Sequence, residues 1–146
     1  MKRPRKQANG KRRSPREYRV FISHATADKW IAKVICEKLE SVGATAFRDD
    51  RDIQAGDNIP DQIRREIKRS HEFLLLLTPA SQVRPWVWIE LGGAWVSRRS
   101  RRIVVVVHQL GFDAIPDISK PTKAILLDDL DDYLAEVKQR VERKRR

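Results

Sequence analysis

The run EFLLLLT, residues 72–78, sets apolar side chains in unbroken succession from Phe73 to Leu77, between one acid and one threonine. A strand with one wet face would alternate apolar and polar residues, and a buried helix would need a longer stretch. The run therefore reads as a strand covered on both faces. RIVVVVH, residues 102–108, repeats the pattern with β-branched side chains. Strands of this kind form the interior of a parallel sheet, and that sheet needs helices on both sides.

Working outward, YRVFIS (18–23), TAFR (45–48) and KAILL (123–127) read as three further strands. Helical patterns separate them. Trp30, Ile31, Val34, Ile35 and Leu39 recur at three- and four-residue spacing, and Gly43 is a fitting stop. Pro60 suits the first turn of a helix running to about Ser70. A third helix is entered through Pro85. The last begins after Asp128 or Asp129 and lines up Leu130, Tyr133, Leu134, Val137 and Val141. Ligands of such sheets bind outside the carboxyl ends of the strands. The residues expected there are Ser23 and His24, then Asp49 and Asp50, then Thr78, Pro79 and Ser81.

The chain of 146 residues carries a net charge of +11, which suggests nucleic acid or an anionic surface as partner. The distribution moderates that reading. Residues 1–16 contribute +8 and residues 138–146 contribute +5, leaving the span 17–137 at −2. A solvated tail and a salt-sensitive grip on an anionic surface both fit the amino-terminal run. The expected division is a disordered basic tail over 1–16, one domain over 17–142 and a short basic end over 143–146. No apolar run has the length of a membrane span. With one cysteine, Cys36, no disulfide within the chain is available, which suits a reducing cytoplasm. One cysteine and three scattered histidines make a zinc or iron–sulfur centre a poor expectation, and no metal or cofactor is expected.

The segment RPWVWIELGGAWV, residues 84–96, holds three of the four tryptophans and a lone acid. At 100° per residue, Trp86, Glu90, Gly93 and Ser97 fall within about 60° of one another, with Trp88, Leu91 and Trp95 opposite. Burying the Trp88 stripe leaves Trp86 and Glu90 on the strand-end crevice, where Gly92 and Gly93 would admit a ligand. Glu90 also fits a surface carboxylate paired with Arg84 or Arg98, and Trp86 a packing residue at the rim. Together they suit a ligand with a flat ring and hydroxyls, such as a nucleotide.

These residues resemble the Toll/interleukin-1 receptor (TIR) domain over about 17–140. FISHATADK (21–29) is similar to the family's first box. FRDDRDIQAGDNIPDQIRREIKRS (47–70) resembles its second box and long loop, and TPASQVRPWVWIEL (78–91) its Ser…Trp-x-x-x-Glu pattern. The resemblance implies a flavodoxin-like, doubly wound sheet of five parallel strands flanked by helices. It also implies that Glu90 is the catalytic residue of an enzyme that cleaves NAD between nicotinamide and ribose. Trp86 would stack on a ring of the substrate, and Ser23, His24 and Ala25 would floor the pocket, with Ser81 nearby. Asp49, Asp50 and Gly56 would belong to the loop that in the family often completes a neighbouring subunit's site, so self-association is implied. NAD+ would be substrate rather than cofactor.

Water as acceptor would give ADP-ribose, and an internal adenine or a ribose oxygen a cyclic isomer that a separate effector could sense, as in bacterial antiphage signalling. Two further classes fit less of the pattern. One is a non-catalytic module that associates with other TIR domains. The other is a nucleoside or nucleotide N-glycosidase, because Glu-Leu-Gly-Gly-Ala is also similar to the Glu-x-Gly signature of nucleoside deoxyribosyltransferases. His24 reads either as a proton-transfer group or as a structural strand end, and Asp28 as an acid of a helix first turn.

Overall fold

The computed structural model describes residues 17–48, 61–83, 102–114 and 124–146. Within them lie β1 (Arg19–Ser23), α1 (Lys29–Ser41), β2 (Thr45–Arg48), α2 (Asp61–Arg69) and β3 (Glu72–Leu77). The short helical turn α3 (Pro79–Gln82), β4 (Arg102–Val107), β5 (Ala124–Leu126) and α4 (Leu130–Arg145) follow. The five strands form one sheet in the order β2-β1-β3-β4-β5, and every pairing is parallel. This is the expected five-stranded parallel sheet flanked by helices. Strand ends differ from expectation by a residue or so; Leu127, for instance, opens a 3-10 turn rather than closing β5.

Side chains alternate across the sheet, so each strand serves two layers. Val20, Ile22, Leu74, Leu76, Val104 and Val106 meet α1 and α4 on one face. α1 contributes Ala32, Ile35, Cys36 and Leu39, and α4 contributes Leu130, Tyr133, Leu134, Val137 and Val141. Phe21 shares the opposite face with Phe73 and Phe47, its ring 5.7 Å from each. α2 packs against β1 and buries Ile63 and Ile67. Each such apolar side chain contributes roughly 1.5–3 kcal/mol relative to exposure, which explains the absence of polar residues from Phe73 to Leu77.

α1 ends as its sequence suggests. Gly43 adopts a φ of 94°, Ala44 N–H donates to Leu39 C=O at 3.1 Å, and Gly43 N–H donates to Glu40 C=O at 3.0 Å. This is a Schellman closure, and only glycine adopts that backbone without strain. The start of α1 departs from expectation. Trp30, counted in the apolar stripe, is 74% exposed, and the buried stripe begins at Ala32. The wheel gives the direction of Trp30 but not where the layer beneath it stops.

Glu72, which opens β3, has a fully buried side chain. Tyr18 and Tyr133 each donate a hydroxyl hydrogen bond of 2.5 Å to its carboxylate, and the Arg140 guanidinium also donates to it. Burial first, and then the Glu72 charge, push both phenols well above their usual range, which keeps them protonated as donors. The network ties β3 to α4 and to the residue preceding β1. It lies at the amino ends of the strands, away from the edge where a ligand is expected.

Candidate functional site

In the order 2-1-3-4-5, the chain leaves β1 in one direction and β3 in the other. The crevice outside the carboxyl ends of β1 and β3 is therefore the topological switch point. Ser23 pairs in register with Leu75, so β1 stops while β3 continues to Leu77. Ser23 ends β1 at this notch, and His24 and Ala25 follow it. All three are buried, Ser23 to 1% exposure and His24 to 5%.

The backbone after β1 closes a 3-10 turn, Thr26–Asp28, with Asp28 N–H donating to Ala25 C=O at 2.9 Å. The chain after β3 forms a capped turn at the same level. Ser81 N–H donates to Thr78 Oγ1 at 3.2 Å, and Thr78 N–H donates to Ser81 Oγ at 2.8 Å. Thr78, Pro79 and Ser81 thus build a capping box with proline in the first turn. Ser81 is fully buried, and its hydroxyl serves this cap.

The two turns are joined by a bond that the sequence reading missed. Thr78 Oγ1 donates to the Asp28 carboxylate at 2.5 Å. Asp28 stands at the N-cap position of α1 yet makes no side-chain cap bond there. Its charge holds the β3 turn instead, an interaction worth about 1.5–3 kcal/mol for a hydrogen bond to an ionised group. The pattern Thr-Pro-Ala-Ser signals the cap, but nothing local signals that a carboxylate fifty residues away meets it.

The result is a pair of hydrogen-bonded turns with one polar atom unspent: Ser23 Oγ is buried and has no hydrogen-bond partner among the described residues. Leaving such a hydroxyl unsatisfied costs roughly 1–3 kcal/mol, which points to a partner for it. By alternation Ser23 projects to the Phe21 face, away from α1 and α4. Of the other expected site residues, Asp49 directly follows the end of β2 at Arg48. Asp49, Asp50, Gly56, Trp86 and Glu90, and the helix entered through Pro85, lie outside the described residues. Among the described residues no group of three or more His, Cys, Asp or Glu is placed to hold a metal ion.

A separate cavity of about 400 Å³ lies between α1 and the start of α4. Trp30, Ile31, Val34, Lys38, His108 and Asp131 are among its lining, and none of Ser23, His24 or Ser81 is. It is thus distinct from the switch-point crevice. No described helix is long and apolar enough to cross a membrane.

Comparison with known proteins agrees with this geometry. The family model described as TIR domain matches residues 20–141. The stimulator of interferon genes protein of Magallana gigas is 31% identical over 123 residues, covering 80% of this chain and 30% of that protein. The NAD(+) hydrolase TcpA of Theionarchaea archaeon (strain DG-70-1) is 32% identical over 78 residues, covering 53% of this chain and 24% of its own length. The chain thus spans less than a third of either relative. Among solved structures, a metazoan TIR-STING receptor from C. gigas in complex with 2',3'-cGAMP superposes with a TM-score of 0.65 at 27% identity. That match covers 88% of this chain and 40% of the receptor chain.

Proposed function

Because this chain belongs to the TIR domain family, we propose that it cleaves NAD+ at the bond between nicotinamide and ribose, with Glu90 as the catalytic carboxylate. The observation that carries the reading is the buried Ser23 hydroxyl, unpartnered among the described residues, at the switch-point crevice. The Trp86-x-x-x-Glu90 pattern follows the capped turn at the carboxyl end of β3, the neighbour of β1. The similarity to a protein named as an NAD(+) hydrolase supports the same chemistry.

One carboxylate suffices for this reaction. Nicotinamide in NAD+ leaves as a neutral base from a cationic ring, so it needs no general acid, unlike the leaving group of an ordinary glycoside. The barrier lies in the oxocarbenium-like ribose, and an ionised Glu90 lowers it electrostatically while accepting hydrogen bonds from the ribose hydroxyls. Ser23 Oγ supplies a further hydrogen bond to the substrate. Trp86 stacks on a ring, and Asp49, Asp50 and Gly56 are the residues by which a neighbouring subunit's loop would complete the site. The acceptor is water, giving ADP-ribose, or the adenine or a ribose oxygen of the substrate itself, giving a cyclic product for a separate effector.

Incubating concentrated protein with NAD+ and separating the products by chromatography tests the reading. Nicotinamide release that disappears in Glu90→Ala is the expected result. Equal release from both proteins, or none from either when concentrated, rejects it.

A second reading has an observation of its own. Trp30 is 74% exposed and lines the α1–α4 cavity together with Ile31, Val34 and Ile35, and contiguous apolar patches of this kind mark contact surfaces. TIR–TIR association through this surface is compatible with catalysis, and becomes the whole function if Glu90 proves silent.

A further inference from the structure

The edge of the sheet opposite the crevice has a chemistry that NAD+ cleavage does not use. The amino ends of β1, β3 and β4 meet there: His71 N–H donates to Arg19 C=O at 2.8 Å, and Arg102 N–H donates to His71 C=O at 3.0 Å. α2 ends at this edge and α4 returns to it. Lys68, Arg69, Arg102, Arg143, Arg145 and Arg146 are consequently gathered around one rim, all exposed. Most acids of the same region are engaged, although Glu40 and Glu142 are exposed. Glu66 and Glu17 bind Arg19, Glu136 binds Arg140, and Glu72 is buried beneath Arg140. The rim is therefore positive, while Asp28, Asp113, Asp128, Asp129, Asp131 and Asp132 follow strands at the other edge.

A second observation marks where an anion fits. His71 Nδ1 accepts the Arg19 backbone N–H at 2.9 Å, so the proton of the neutral ring sits on Nε2. That nitrogen lies 2.7 Å from Lys144 Nζ. Two donors thus face each other, an arrangement that an anionic oxygen accepting from both would relieve. Burial, and then the Lys144 charge, hold the His71 pKa below its usual value.

We infer that this rim is a phosphate-binding face for nucleic acid, gripping the backbone without reading sequence. Guanidinium groups dominate it, and they suit bidentate contact with phosphate oxygens. The segment 1–16, which carries +8, is joined in sequence to Glu17, on the same edge. A membrane fits less well, because surface-bound domains also insert apolar side chains. The exposed large hydrophobics among the described residues are Trp30, Val83, Phe112 and Leu126. All four end a strand, follow its carboxyl end or open the helix after one, on the other edge.

The test measures binding of the full chain to a short fluorescent DNA duplex across salt, beside the quadruple variant Lys68→Glu, Arg69→Glu, Arg143→Glu, Lys144→Glu. If the rim engages about four phosphates, affinity falls about 150-fold between roughly 50 and 200 mM salt. The variant is expected to bind at least about tenfold more weakly, with a shallower salt slope. Circular dichroism checks its fold, and the matching glutamine variants repeat the test if charge reversal disturbs it. A variant that binds as tightly as the parent overturns the inference, since the tail alone would then carry the affinity. So does tighter binding to phosphatidylserine vesicles than to the duplex, or no binding to either. None of these residues touches the proposed catalytic crevice, so the outcome is independent of NAD+ cleavage.

Discussion

Replacing Glu72 by Gln keeps the shape of the side chain and removes its charge. Two tyrosine hydroxyls and the Arg140 guanidinium converge on that carboxylate, whose side chain is fully buried. Glutamine offers one acceptor oxygen, so at least one donor is stranded, and the Arg140 charge loses its buried counter-ion and keeps only the exposed Glu136 carboxylate. Removing one partner of a buried ion pair typically costs about 3–5 kcal/mol. Part is recovered because the variant no longer buries a carboxylate, so about 3 kcal/mol is expected here. At the unfolding entropy typical of a chain of 146 residues, that lowers Tm by about 10 °C. Thermal and urea unfolding followed by circular dichroism measure it, and the urea slope should stay unchanged. Adding Arg140→Met should then cost much less than it does in the parent, by about 1–3 kcal/mol, because the two residues act as a pair. A loss below about 1 kcal/mol for Glu72→Gln, or strict additivity with Arg140→Met, refutes this account of the network.

Glu90→Gln should lower nicotinamide release by about a hundredfold or more, as removal of one transition-state electrostatic group does, with unfolding unchanged. Asp28→Ala should destabilise by about 1–3 kcal/mol, because buried Thr78 loses its acceptor; thermal unfolding reads this directly. Trp30→Ala should change stability by no more than about 0.5 kcal/mol, and a larger loss in urea unfolding would restore Trp30 to the core. His71 makes a pH prediction. Its pKa is lowered in the folded state, so the unfolded chain takes up the proton first as pH falls below the usual histidine value. The His71 contribution is therefore fully present above about pH 6.5 and is lost as pH falls through the folded value. His71→Asn, whose amide oxygen replaces Nδ1 as acceptor, should flatten that part of the stability profile measured by urea midpoints.

The sheet was legible because its evidence is local. Continuous apolar runs at 72–78 and 102–108 separate a doubly covered strand from any half-wet one, and the spacing of Ile35 and Leu39 or of Tyr133, Val137 and Val141 marks helices. The strand-end residues Ser23, His24 and Thr78 were legible for the same reason, since a parallel sheet gathers its carboxyl ends on one edge. Periodicity carries no information about partners distant in the chain. Glu72 reads locally as the polar start of a strand, yet its donors lie 54, 61 and 68 residues away. Asp28 reads as a helix-start acid until β3 brings Thr78 beside it. Trp30 fits the helical stripe by angle, and only the extent of the layer below leaves it in solvent. The sequence by itself determined which segments are strands and helices, and with them the edge that gathers the carboxyl ends of the strands. Tertiary structure alone decided which charges are buried, paired or left to a partner, because charge energies depend on distance and burial, and both are set by the packing of segments remote in sequence.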